Sequence, residues 1–214
     1  MTNVRSSMFY FPYVGKDYEQ GYRDGTKLLI LGESFYNQVE DRNGATCVLG
    51  SHVCREPIGP FYTGVEQMVT GGKIDGEERW KFWVRVAFTN LIQKSLDGAR
   101  DKPTDKDWQI ARKASVEIIN LTKPDLVFVF SKQAFNAMAD SEEFPGSKYV
   151  DAIDATDSPK GPSKYEAYLY KVKYKPGNRY LLAGRFNHPA HPVFPYEKWH
   201  KWAEALFKLA PKFK

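Results

Sequence analysis

Four short stretches, far apart along the chain, hold side chains able to do chemistry. They are Gly32-Glu33-Ser34-Phe35-Tyr36, Gly59-Pro60-Phe61-Tyr62, Phe88-Thr89-Asn90 and Asn187-His188-Pro189-Ala190. An imidazole such as His188 can donate a hydrogen bond to a developing negative charge, and Pro189 would stiffen the loop that carries it. In a water-poor cleft the loss of one such donor typically costs about 3–4 kcal/mol of barrier. The Asn90 amide offers one acceptor and two donors, so it can grip two adjacent polar groups on the edge of a planar ring. The commoner duty of an Asn at an element boundary is capping. Phe61 supplies a flat stacking face or, equally, a core ring. Glu33 and Ser34 can hold a water, although a serine hydroxyl is a poor base at neutral pH. Gly32 would serve a tight turn that needs positive φ.

Other chemistries find little support. The chain has two cysteines, Cys47 and Cys54, too few for a disulfide framework or for an iron–sulfur cluster held by four cysteines of this chain. With His52 they make three clustered metal-ligand candidates, short of the four that structural zinc takes. The zinc-deaminase signature, the Walker phosphate loop and the nucleophile elbow are absent. No metal or redox cofactor is expected.

The elements that would position these groups follow from hydrophobic patterning. Lys27 to Leu31 and Leu126 to Phe130 are continuous apolar runs, as in strands buried on both faces of a parallel sheet. Residues 77 to 92 read as a helix leading into a strand or loop that ends near Asn90. Thr104, followed three residues on by Asp107, marks a helix start; Trp108, Ala111, Ser115, Ile118 and Ile119 fall on its inner face, and Pro124 ends it. A short helix is expected over 132 to 140 and a loop over 141 to 164. Strands follow over 165 to 174 and from Tyr180 to Ala183, with a turn at Pro176-Gly177-Asn178 between them. Pro195 opens a last helix with the stripe Trp199, Trp202, Ala203, Leu206, Phe207 and Ala210. Residues 1 to 26 show no clear period. Strands alternating with helices predict a single α/β domain, a three-layer sandwich around a central, mainly parallel sheet. Ligands of such folds bind at the carboxyl ends of the strands, where all four stretches are expected.

Charge is unevenly spread. The chain carries net +5. Residues 160 to 214 hold twelve Lys/Arg against three Glu, a net +9, and residues 1 to 159 hold a net −4. A basic last third suits a polyanion such as nucleic acid, or is simply a solvated face. No window has the roughly 20 apolar residues needed to span a membrane, and the first eighteen residues lack the apolar run of a secretory signal. A monomeric, cytoplasmic protein is expected.

In this order, the four stretches resemble the signature loops of the uracil-DNA glycosylase superfamily over roughly residues 27 to 200. The resemblance implies a monofunctional DNA glycosylase that flips a base out of DNA and hydrolyses its N-glycosidic bond, leaving an abasic site. It implies a catalytic His188, with His191 as the alternative, and a hydrolytic water held by Glu33 and Ser34. Asn90, Phe61, Tyr36 and Phe35 would form the base pocket. His191, Val193, Phe194, Lys132 and Arg185 would meet the DNA, with Val193 or Phe194 as the wedge that fills the gap. Ser34 stands where the family often has Asp or Asn, and Ala190 where it usually has Ser. The substrate is left between a deaminated base such as uracil, in repair, and a modified base such as a hydroxymethylcytosine derivative of phage DNA, in defence. A non-catalytic nucleic-acid-binding member of the fold is the competing class.

Overall fold

The structure, a computed structural model, describes residues 6–36, 42–43, 59–98, 101–139, 148–149, 167–171, 180–189 and 195–213. Nine strands and five helices alternate along these residues: β1 (Tyr13–Val14), β2 (Leu28–Gly32), β3 (Phe35–Tyr36), α1 (Pro60–Thr70), α2 (Gly76–Trp83), β4 (Val86–Asn90), β5 (Ser95–Leu96), α3 (Asp105–Thr122), β6 (Leu126–Val129), α4 (Lys132–Ala139), β7 (Lys148–Tyr149), β8 (Ala167–Lys171), β9 (Tyr180–Arg185) and α5 (Tyr196–Leu209). Seven strands form one sheet in the order β1-β4-β2-β6-β9-β8-β7, and β3 pairs with β5 in a small second sheet. The four inner strands β4, β2, β6 and β9 are parallel; β1 pairs antiparallel with β4, β8 with β9, and β7 with β8. The architecture is thus mixed α/β with a mainly parallel central sheet.

The apolar runs become central strands because both faces of the sheet are covered. Alternate side chains point to opposite faces. Leu28, Ile30, Val86, Phe88, Leu126 and Phe128 share one core cluster with Val65 and Met68 of α1, Phe82 and Trp83 of α2, and the Trp199–Leu206 stripe of α5. Leu29, Leu31, Ala87, Val127 and Val129 share the other with Ala111 and Ile118 of α3 and Phe135 of α4. Helices therefore lie on both faces. The α3 start is a complete capping box, with Thr104 and Asp107 each bonding the other's backbone N–H. That helix ends at Thr122, with Lys123 in the left-handed conformation just before Pro124.

Three expectations change. The segment 1 to 26, without a visible period, contributes β1, which pairs antiparallel with β4. The loop expected over 141 to 164 contains β7, an edge strand on β8. Gly59 to Tyr62, expected as a loop carrying Phe61, instead opens a helix, Pro60–Thr70: Pro60 occupies its first turn, and Gly71, at φ 91°, ends it. Pro is suited to the first helical turn, where its missing N–H would have had no partner. The turn expected at 176–178 lies outside the described residues.

The helix α1 is locked by a buried ion pair. Arg79 Nε donates to both carboxylate oxygens of Glu66, at 3.1 and 3.0 Å, and Trp83 Nε1 donates to Glu66 Oε1 at 2.8 Å. Both charged side chains are more than nine-tenths buried. Removing one partner of such a pair strands the other charge in the core, at a cost of about 3–5 kcal/mol. Glu66→Ala is expected to lose that much stability in urea unfolding, and a loss below about 1 kcal/mol would mean that the pair does not hold α1.

Candidate functional site

The strand order places a topological switch at β2. From β2 the chain crosses to β4 on one side, and it then builds β6 and β9 on the other. A crevice forms at the carboxyl ends of strands where the order reverses in this way. Four chain segments meet there: the residues after β2, after β4, after β6 and after β9.

Register decides which side chains face each other. Gly32 is the last residue of β2 and pairs with Asn90, the last residue of β4. Both fall on the face that carries Ile30 and Phe88, beneath α1. Gly32 does not have positive φ, so the turn requirement expected for it is not why glycine stands there. A Cβ at position 32 would overlap the Asn90 amide oxygen and come within 3.4 Å of Phe61 Cζ. Glycine is needed so that the amide can lie over the backbone.

Phe61 is the hub of the cluster. Its ring packs on Tyr62, Phe88 and Phe130 with centroids 5.2, 6.0 and 5.9 Å away, and on His188 at 5.3 Å with planes tilted by 50°. Tyr62 turns inward onto Trp83 and Phe88, and burial pushes its phenol well above the usual tyrosine range. Pro189 packs against the helix at Gly64, where a Cβ would come within 2.6 Å of Pro189 Cβ. His188 is exposed and Pro189 buried, so the loop is anchored by its proline and presents its imidazole at the surface. Asn90 and Phe61 thus meet over Gly32, and His188, 127 positions after Phe61 in the chain, packs on the Phe61 ring.

The residues after β2 form the polar wall of the cluster. Backbone pairing continues past the strand ends: Leu91 N donates to Gly32 O at 3.1 Å and Ile92 N to Glu33 O at 2.9 Å. The Glu33 carboxylate accepts a short hydrogen bond from the Ser131 hydroxyl. The same Ser131 oxygen accepts from Ala134 N at 3.2 Å, so one hydroxyl caps α4 and holds Glu33. Tyr36 is half-buried; burial first, and the Glu33 charge second, raise its phenol pKa. Ser34 is 7% exposed, and its hydroxyl has no hydrogen-bond partner among the described residues. An unpaired buried hydroxyl costs about 1–3 kcal/mol, a cost that a polar ligand group would remove.

Two of the expected site residues lie elsewhere. Phe35 is 4% exposed and packs edge-on against Tyr10 at 4.8 Å, because the one-residue step along β3 turns it into the core. Arg185, expected on DNA, is 7% exposed. Its guanidinium reaches Asn187 Oδ1 at 3.3 Å, and its carbonyl accepts from Trp202 Nε1 at 3.2 Å. It orders the loop before His188 rather than reaching outward. Lys132 is exposed at the start of α4, beside Ser131. His191, Val193 and Phe194 lie outside the described residues, as do Cys47, His52 and Cys54. Among the described residues no group of three His, Cys, Asp or Glu could hold a metal.

Sequence patterning did not single out Ser131 or Gln93. Ser131 follows the apolar run of β6 and precedes a helix, the usual position of an N-cap, and that signal could have found it. Gln93 carries no local signal: its Oε1 accepts from the backbone N–H of Phe9 (2.8 Å) and Tyr10 (2.9 Å), and its Nε2 donates to the carbonyls of Asn90 (3.2 Å) and Leu91 (3.1 Å).

A concavity of about 830 Å3 lies elsewhere, lined by Asp17, Lys73, Glu78, Trp80, Lys81 and Arg85, among others. Arg85 directly precedes β4, so this hollow sits at the opposite end of the strands. Its mixed charges carry no convergent chemistry, and the strand-end cluster is the better candidate. No protein-family model matches the chain, and no curated protein matches it significantly.

Gly32→Ala tests the geometry directly. The protein is expected to fold with a loss of about 1–3 kcal/mol, typical of overpacking, while the Asn90 side-chain amide moves. Its NH2 resonances would shift in an NMR spectrum; unchanged resonances would show that the two residues are not in contact.

Proposed function

We propose that the chain is a DNA glycosylase with the fold of the uracil-DNA glycosylase superfamily. The observation that carries this reading is the meeting of Asn90 and Phe61 over Gly32 at the carboxyl ends of β2 and β4, with His188 packed on Phe61. A flipped base would find three complementary groups there. Phe61 offers a face to stack on, worth about 1–3 kcal/mol per base. Asn90 offers a donor and an acceptor to the ring edge. His188 offers a donor to the base oxygen on which negative charge grows.

The reaction breaks the bond between the base nitrogen and C1′ of the sugar, and the electron pair leaves with the base. The sugar becomes oxocarbenium-like, water adds at C1′, and the proton that this water loses neutralises the released base anion. Glu33, held by Ser131, is the carboxylate nearest the water's proposed place on the Gly32 loop, and it also opposes the positive charge that builds on the sugar. No lysine stands in the four loops, so no covalent imine with the sugar is expected, and the product is an abasic site. Lys132 and the basic last third of the chain would meet the phosphates of a DNA strand, with the protein acting as a monomer.

The substrate reading is favoured by one observation. The buried Ser34 hydroxyl without a partner, with Glu33 and Ser131 nearby, makes a polar wall, while Tyr36, if it stands where the family's Tyr closes the pocket, argues against bulk at C5. The wall suits a base that carries an extra polar group, such as a hydroxymethylcytosine derivative, better than a bare apolar edge. Defence against modified phage DNA then becomes the biological setting, with repair of uracil as the alternative.

Two measurements test the proposal. Oligonucleotides with a single uracil, hypoxanthine or hydroxymethylcytosine derivative, incubated with the protein and then treated with alkali, should break at one of these bases. Tight binding without abasic sites on any of them would instead favour a non-catalytic nucleic-acid-binding protein. His188→Ala is expected to slow base release by at least about 100-fold, the usual effect of losing one donor to a developing anion, with an unchanged unfolding midpoint. A rate equal to wild type would remove His188 from the chemistry.

A further inference from the structure

Beside the Asn90 cluster lies an exposed aromatic–cationic pair that the proposed chemistry does not use. Phe9 is 42% exposed, among the few large apolar side chains on the described surface. The guanidinium of Arg42 lies over it, 5.8 Å from the ring centre, and over Phe11 at 4.8 Å. Arg42 is itself exposed. Its backbone carbonyl accepts from Phe11 N at 2.7 Å, and its Nε and Nη2 donate to the carbonyls of Phe9 (3.3 Å) and Met8 (3.4 Å).

The position of this pair is set by β1. That strand runs antiparallel to β4, with Tyr13 opposite Phe88, so residues 9 to 11 rise toward the same end of the sheet as Asn90. Gln93 closes the gap. One amide accepts from the backbone of Phe9 and Tyr10 and donates to the backbone of Asn90 and Leu91. With all four hydrogen bonds made and 8% exposure, it is a rigid brace between the pair and the base-reading position. Tyr10 then packs on Phe35, one residue beyond Ser34.

We propose that Phe9 and Arg42 form a second stacking platform, which holds a nucleotide flanking the flipped one on the same DNA strand. This rests on the reading that the Asn90 cluster takes a nucleotide. The chemistry fits a single occupant: an exposed ring for a base face and an adjoining cation for a phosphate or a second base. An apolar protein partner would gain nothing from the guanidinium, and a free anion would gain nothing from the ring. The platform acts on every sequence alike, because a stacked base is held by its π-face.

Binding of fluorescein-labelled single-stranded and nicked-duplex oligonucleotides, measured by anisotropy at several salt concentrations, tests this. Phe9→Ala is expected to raise Kd about tenfold on all sequences, the equivalent of about 1.4 kcal/mol, and Phe9→Tyr to restore it. Arg42→Gln is expected to flatten the slope of log K against log salt by about one. Thermal midpoints of all variants serve as the folding control. Variants within twofold of wild type in Kd, with an unchanged salt slope, would overturn the platform even if base excision is seen. Platform effects without any abasic product would leave it standing and remove the glycosylase reading. A wild-type protein that binds no oligonucleotide would remove both.

Discussion

The site depends on one register. β2 and β4 pair in parallel with Gly32 opposite Asn90, and both residues sit on the α1 face because side chains alternate along each strand. A slip of one residue would move the Asn90 amide to the α3 face and bring Thr89 beneath Phe61. The register is held by burial: Ile30 and Phe88 on one face and Leu31 and Ala87 on the other are all fully enclosed. The two helical layers therefore fix the position of the Asn90 side chain, which is itself 6% exposed. The backbone bonds from Leu91 and Ile92 to Gly32 and Glu33 carry the same alignment a step beyond the sheet.

A second layer of control comes from α1. Phe61 lies in its first turn and Glu66 one turn further along, so the buried pair with Arg79 fixes the helix that aims the ring. Burial of two charges is not a source of stability in itself, since desolvation offsets much of the attraction. Its effect is directional: the bidentate contact and the Trp83 indole leave α1 few alternative rotations. The short α2 is tied to the same carboxylate, and its own capping box at Asp75 and Glu78 makes it a firm anchor despite its eight residues.

How much of this was legible in the sequence varies with the range of the forces involved. Leu28 to Leu31 and Leu126 to Val129 announce themselves because strands buried on both faces need uninterrupted apolar runs. The Thr104–Asp107 box and the α5 stripe are equally local. The α1 helix was hidden, because its start carries Gly, Thr and aromatic residues of modest helix preference and its stability comes from packing on α5. β1, β3, β5 and β7 are two-residue strands, too short for any period to show. At the site, Asn90, Phe61 and His188 were legible as types in order; the structure sets Phe61 against His188 and, across Gly32, beside Asn90. Phe35 and Arg185 were not, since burial of this kind depends on packing between elements, as in the contact of Phe35 with Tyr10.

The absence of a side chain at Gly64 has a mechanical meaning. Pro189 sits directly on the α1 backbone, with no intervening flexible group to absorb relative motion. The ring at 61 and the imidazole at 188 thus ride on one stiff bracket, and a displacement of the late loop must tilt the helix with it. With these two groups held together, room for a bulky ligand has to come from the opposite wall, formed by the residues after β2.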